Sequence, residues 1–348
     1  MRILFLATSE FALPAFQALL EHPELFEICL VVTRPPAPAG RGLKPQPSPI
    51  SQAASQNGLR VTHPLTLSGS EYDQLLAEIA VLEPDFAVVA SYGLLLTEAL
   101  IATPRLATVN IHASLLPRWR GAAPIERAIL AGDATTGVTL QQLRLALDSG
   151  PIYSQTSITI GAKPFSQLFA EMAAAGAALL TRDLPLIASG QLLPVEQDES
   201  QATYADKLTQ AELALSCELD SAANLRRIQA AGVRTPARAL VAGRGVRVLA
   251  AQAVQGEVVA VLDDMRGGGT GGAAGGAAGE GTAKSGISGT VLLVNRQLFL
   301  STADGWLCVD ELAPDGKRPM SGQAFASGIP ELRNTRRSTW QTWPGQSD

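Results

Sequence analysis

Asn110-Ile111-His112-Ala113-Ser114-Leu115-Leu116-Pro117-Arg118-Trp119-Arg120-Gly121 packs an amide, an imidazole, a hydroxyl, two guanidiniums and an indole into twelve positions, in a chain that holds three histidines. It follows Ala107-Thr108-Val109, a short apolar run that reads as the end of a strand. Side chains two apart on a strand share a face, so Asn110 and His112 point the same way. Ligands collect at the carboxyl ends of strands in parallel α/β sheets, which makes this stretch a binding mouth if its flanks repeat βα. Either residue alone reads better as a satisfied core histidine or a turn asparagine. With Asp148 downstream in Leu147-Asp148-Ser149-Gly150-Pro151 the functional reading prevails.

The upstream flank supplies the βα rhythm. Residues 2–7 read as a buried strand, Phe11 to Leu20 as a helix with Pro14 in its first turn, and Phe26 to Val32 as a second strand. Such an opening invites a dinucleotide reading, but the turn Thr8-Ser9-Glu10 lacks the glycines that let a backbone approach pyrophosphate. Next comes Thr33 to Pro45, a Pro/Gly-rich loop that carries Arg34, Arg41 and Lys44. A helix over Glu71–Leu82 and a fully buried strand over Asp85–Ala90 lead to the Asn110 strand. Downstream, Pro124–Ala131 is expected to be helical, Gly137–Leu143 and Ile152–Ile160 to be strands, and Pro164–Ser189 a long helix.

The second half differs in kind. After a polar, acidic stretch from Gly190 to Thr203, short helical patterns span Ala211–Ala231, and short strands follow at 239–241, 246–249, 258–261, 290–294 and 298–300. Short strands separated by turns predict a small antiparallel barrel. Within it, Gly267-Gly268-Gly269-Thr270-Gly271-Gly272 opens a low-complexity insertion over about 266–288, expected to be disordered; no Gly-Lys-Ser/Thr follows to make a phosphate loop. The expected fold is thus α/β: a Rossmann-like, open, mostly parallel sheet over 1–189, a linker over 190–203, and a small OB-like barrel domain over 204–348.

Composition fits that division. The chain has 348 residues, enough for two cores, and no apolar run long enough for a transmembrane helix. Its net charge of −5 is unevenly spread: 12 basic against 18 acidic residues up to Tyr204, then 15 against 14. The net charge argues against wholesale nucleic-acid binding, while local basic features in the second half remain open to a polyanion. Cys29, Cys217 and Cys308 are odd in number and far apart, and His22, His63 and His112 lack metal-ligand spacing, so neither a disulfide framework nor a metal is expected. A cytoplasmic location fits the reduced cysteines.

With Ala122-Ala123-Pro124-Ile125 appended, the opening stretch resembles the signature of folate-dependent formyltransferases. The likeness extends to Arg2-Ile3-Leu4-Phe5 with Phe11-Ala12-Leu13-Pro14-Ala15, to Pro38-Ala39-Gly40-Arg41-Gly42, to Pro84-Asp85 through Tyr92-Gly93, to Leu147-Asp148-Ser149-Gly150 and to Gly316-Lys317-Arg318-Pro319-Met320-Ser321. The last of these belongs with the tRNA-directed members. This chain departs from their pattern at Thr8-Ser9-Glu10, at Pro151, where an acidic residue is usual, and at Gly232–Ala237, which stands in for an Asn-Pro-Trp-Pro-Gly-Ala-like segment.

The resemblance implies transfer of a formyl group from 10-formyltetrahydrofolate to the amino group of initiator methionyl-tRNA, without a metal, by a cytoplasmic protein that is expected to be a monomer with no membrane partner. Such a transfer passes through a tetrahedral oxyanion and must deliver a proton to the leaving nitrogen. A side-chain amide donates without titrating, which fits Asn110 to the oxyanion. An imidazole titrates in the right range to deliver the proton, which fits His112, with Asp148 as its charge partner. The same resemblance gives Ser114, Leu115, Leu116 and Pro117 to the folate-binding wall, and Arg41 and Lys44 to the tRNA acceptor end. Arg118 and Arg120 stay open between tRNA contacts and structural salt bridges. Two alternatives remain at this stage: a related enzyme acting on a small amine, such as glycinamide ribonucleotide or an amino-sugar nucleotide, and a catalytically silent folate- or RNA-binding module.

Overall fold

A computed structural model describes residues 1–39, 44–232, 235–267 and 289–344. Arg41 and positions 268–288 of the glycine-rich insertion lie outside the described residues. Contacts divide the chain into two compact units, residues 1–128 with 133–207 and residues 129–132 with 208–348.

The first unit is built on seven strands: β1 (Arg2–Ala7), β2 (Glu27–Val32), β3 (Val61–Thr62), β4 (Phe86–Ala90), β5 (Ala107–His112), β6 (Thr135–Gln142) and β7 (Ile152–Thr159). They lie in the order β7-β6-β5-β4-β1-β2-β3. Every pair from β5 across to β3 is parallel, whereas β6 and β7 add antiparallel to that edge. The central strands are covered on both faces and so read as unbroken apolar runs; Phe86–Ala90 is buried throughout. Strand order reverses beside β1, and that reversal opens a crevice above the carboxyl ends of β1, β4 and β5.

Alternation along β5 sorts its residues by task. Ile111 faces the long helix Phe165–Ala188, where a Cβ on Gly176 would come within 2.6 Å of its Cγ2. Asn110 and His112 project from the opposite face. Their registers pair Asn110 with Val89 and Gln141, and His112 with Thr139.

Two regions differ in detail from the sequence reading. The Pro/Gly-rich loop contains a short antiparallel ribbon, Ala37–Ala39 with Lys44–Gln46. The polar stretch 190–203 is stitched along the first unit: Val195 bridges Ile152, and Tyr204–Ala205 pairs in parallel with Arg120–Gly121.

The second unit closes six antiparallel strands into a barrel: β8 (Arg238–Val241), β9 (Arg244–Ala253), β10 (Gly289–Val294), β11 (Gln297–Ser301), β12 (Trp306–Pro314) and β13 (Arg337–Thr342). The ring runs β9-β8-β13-β10-β11-β12 and returns through β9–β12 pairing. Residues 258–261, expected as a strand, belong instead to the helix Glu257–Gly267. Spacing explains the change: Val259, Leu262 and Asp263 share a helical face, where Leu262 packs on Phe299 and Trp306, and Asp263 accepts the Trp306 indole N–H at 2.8 Å. Tertiary contacts on that face outweigh the β propensity of three valines.

Trp340 fills the barrel. It is 1% exposed and donates its indole N–H to the Ser301 carbonyl at 2.9 Å. Trp340→Ala is expected to lower the barrel's unfolding free energy by about 3–5 kcal/mol. The measurement is urea unfolding: a lower midpoint at unchanged slope agrees. An unchanged midpoint would show that the indole does not hold the barrel together.

Candidate active site

Asp148 is the hub of the crevice. The turn that carries it lies in the left-handed region at φ 48°, and Gly150 presses so close to β6 that a Cβ there would sit 1.7 Å from the Gln142 carbonyl oxygen. Four groups converge on the carboxylate. Its Oδ1 accepts from Gln141 Nε2 at 3.0 Å and Asn110 Nδ2 at 3.4 Å, and lies 3.5 Å from His112 Nδ1. Its Oδ2 accepts the Gly121 backbone N–H at 2.9 Å. The structure thus brings Asn110, His112 and Asp148 together across 38 residues of chain.

His112 is 6% exposed, with an acceptor on each side of its ring. Nε2 donates to the Trp119 carbonyl at 2.9 Å, which fixes that nitrogen as protonated because a carbonyl only accepts. Nδ1 faces Asp148 at ion-pair rather than hydrogen-bond separation, so it is the ring atom left to exchange a proton. Asn110 has a second amide hydrogen with no protein partner among the described residues. Ser91, Trp119 and Asp148 all adopt left-handed backbone conformations, at φ 48°, 63° and 48°. Strain of that kind persists where surrounding structure over-determines a functional geometry. Gly121, at φ 121°, has the Ala205 carbonyl oxygen where a Cβ would need 2.9 Å, so the segment that touches Asp148 accepts only glycine there.

A cavity of about 650 Å³ opens over these groups. Asn110, His112 and Asp148 line it together with the apolar side chains of Phe11, Leu94, Leu96, Phe165 and Phe169. Phe11 meets Phe169 edge-on with ring centroids 5.4 Å apart. Of two titratable groups in the cavity, Glu126 escaped the sequence reading, while Tyr92 figured there only within a family-like segment. Burial pushes the Glu126 carboxyl above its ordinary range, and burial pushes the Tyr92 hydroxyl up to about 12 against the opposing charge of Arg34. Both sit in stretches whose periodicity reads as core, and only the carboxylate in an otherwise apolar helix start signals a site.

Ser114, Leu115, Leu116 and Pro117 are not among the residues that line the cavity. Ser114 is fully buried and donates to the Arg118 carbonyl at 2.6 Å. Thr139 holds this segment from behind, donating to Ser114 O at 2.7 Å and accepting from Leu116 N at 3.1 Å. Lys44 is exposed and also lies off the cavity. The two arginines left open by the sequence are both in salt bridges. Arg118 is bidentate to Asp133 at 3.0 and 2.7 Å, while Arg120, 2% exposed, pairs with Glu199 at 2.7 Å.

Comparison with known proteins places this geometry. The Formyl transferase family model matches residues 1–180, and the model for the Formyl transferase, C-terminal domain matches residues 207–330. A methionyl-tRNA formyltransferase from Methylococcus capsulatus is 39% identical over 328 residues, covering 93% of this chain and 96% of its own. The methionyl-tRNA formyltransferase of Thiobacillus denitrificans is 44% identical, covering 97% of this chain and 99% of its own. Among solved structures, the N-formyltransferase of Helicobacter canadensis, in complex with folinic acid and dTDP-3-aminofucose, superposes with a TM-score of 0.57 at 12% identity over 88% of this chain and 98% of its own. That last likeness shows a shared fold; the two sequence relatives and the two matched models show that the chain belongs to the methionyl-tRNA formyltransferase branch of the formyl transferase family.

Proposed function

We propose that this protein transfers the formyl group of 10-formyltetrahydrofolate to the amino group of initiator methionyl-tRNA. The observation that carries the reading is the convergence of Asn110 Nδ2, Gln141 Nε2, His112 Nδ1 and Gly121 N on one buried carboxylate beneath a half-apolar cavity.

In this reading Asn110 keeps one amide hydrogen on Asp148 and gives the other to the developing negative charge on the formyl oxygen, a donation worth about 3 kcal/mol in a water-excluded site. With its tautomer held through the Trp119 carbonyl, His112 takes up at Nδ1 the proton that the attacking amine loses as its N–C bond forms, and delivers it to the leaving nitrogen as the donor's N–C bond breaks. Asp148 orients both, accepting from Asn110 Nδ2 at 3.4 Å and facing His112 Nδ1 at 3.5 Å. The apolar wall of Leu94, Leu96 and Phe169 suits the flat ring of the donor. The family resemblance gives Ser114, Leu115, Leu116 and Pro117 to the folate-binding wall, although none of the four lines the cavity. Arg41 and Lys44 meet the tRNA acceptor end, so binding weakens with added salt.

We place formyl transfer in the first unit, which takes the expected 1–189 domain and its 190–203 linker through to Lys207, and tRNA binding in the barrel unit from residue 208. Each unit buries a core of its own, and the protein is proposed to act as a monomer. Three free cysteines support a cytoplasmic setting, and no helix among the described residues is long and apolar enough to cross a membrane. Methionyl-tRNA formyltransferases 39% and 44% identical along nearly the whole chain favour a tRNA acceptor over glycinamide ribonucleotide or an amino-sugar nucleotide. Incubation of purified protein and 10-formyltetrahydrofolate with charged initiator tRNA is expected to yield formylmethionyl-tRNA. Formylation of the small amines alone would overturn the assignment.

A further inference from the structure

Gln197 lies in the stretch whose composition reads as a linker, yet its amide is bonded on both sides. Its Nε2 donates to the carbonyl oxygens of Asp148 at 2.8 Å and Gly150 at 2.6 Å. Its Oε1 accepts from Arg120 Nε at 3.1 Å and Nη2 at 2.8 Å. Arg120 is itself locked by two bonds to Glu199, at 2.8 and 2.7 Å, and its backbone runs into Gly121, whose N–H holds Asp148 Oδ2. One amide therefore joins the backbone of the Asp148 turn to the strand segment that grips the Asp148 side chain.

We propose that Gln197, held by Arg120, is a positioning residue that sets the aim of the Asp148 carboxylate. The physical need is specific. Left-handed φ at a non-glycine residue is strained, so the turn relaxes unless something outside it fixes its carbonyls. Gln197 caps both carbonyls that flank Ser149. A rotation there moves Oδ1 relative to three side chains, Asn110, His112 and Gln141, while leaving the cavity walls in place.

The inference rests on Asp148 acting in the reaction, and the experiment separates the two. Gln197→Glu keeps acceptors for Arg120 but removes both N–H donations and sets a carboxylate against two carbonyl oxygens. It is expected to lower kcat about 10- to 100-fold while KM for methionyl-tRNA and for 10-formyltetrahydrofolate stays within about threefold and the melting temperature changes little. Gln197→Met, which removes every polar contact, repeats the measurement should the glutamate variant fold poorly. A lower melting temperature with wild-type kcat in the Gln197 variants would make the residue a structural brace and overturn the proposal. Wild-type kcat in Asp148→Asn, measured alongside, would instead remove the reading on which it rests.

Discussion

Asp148→Asn is expected to lower kcat for formylation of methionyl-tRNA roughly a thousandfold while the protein stays folded. Hydrogen-bond counting drives the size of the effect. Oδ1 takes Gln141 Nε2 at 3.0 Å and Asn110 Nδ2 at 3.4 Å with His112 Nδ1 nearby, and Oδ2 takes Gly121 N at 2.9 Å. An asparagine offers one acceptor and an NH2, so in either orientation an NH2 group meets groups that already donate. The charge that pairs with His112 disappears as well. Losing an oxyanion donor's orientation is worth about 10²–10³ and losing a positioned acid about 10²–10⁴. The two share one hub and do not multiply, which leaves about 10³. One buried donor left without a partner costs about 1–3 kcal/mol, less than the stability of an ordinary domain. Steady-state kinetics with a thermal melt reads both quantities. A kcat within threefold of wild type would remove Asp148 from the mechanism.

The convergence on Asp148 was half visible in the sequence, for reasons that follow from distance along the chain. Asn110 and His112 announce themselves because strand alternation puts two polar side chains on one face after an apolar run. Asp148 sits before a Ser-Gly turn at a second strand's start, which is again a local pattern. The Trp119 carbonyl that fixes the His112 tautomer leaves no trace, since backbone groups have no sequence signature. Gln141 alternates within a strand whose neighbours are buried, and nothing local distinguishes an amide facing a carboxylate from one facing solvent. Gln197 is hidden more deeply: Pro194-Val195-Glu196-Gln197-Asp198-Glu199 has the composition of a solvated connector, and only the tertiary return of the chain reveals its bonds to Arg120 and Asp148.

The fold follows the same rule. Apolar runs of β1, β2 and β4 fix the parallel sheet because covered strands have no polar face to confuse the period. In the barrel, Val258–Val261 has strand composition but helical contacts, and Arg337–Thr342 escapes notice because Trp340 is its one fully buried side chain. Strand Trp306–Pro314 interrupts its apolar run with exposed Asp310 and Glu311, where the register against β9 also shifts.

His112→Ala is expected to reduce kcat by about 10²–10⁴, the range for a positioned general acid, with KM for methionyl-tRNA within a few-fold of wild type. The ring's side chain is 7% exposed and its Nε2 is committed to the Trp119 carbonyl at 2.9 Å, so the residue has no surface with which to bind the tRNA body. Truncation leaves a ring-sized hole that adjoins the cavity, with two acceptors, the Trp119 carbonyl and Asp148, still in place. Free imidazole added to the assay is therefore expected to restore part of the lost rate, because those acceptors orient it as they orient the native ring. Asn110→Ala provides the contrast: it should lose about 10²–10³ through the missing oxyanion donor and gain nothing from imidazole. Equal losses with no rescue in either variant would mean that His112 acts by filling space. A loss confined to KM would place it on the binding side of the reaction, and Asp148 would then be a carboxylate without a proton to manage.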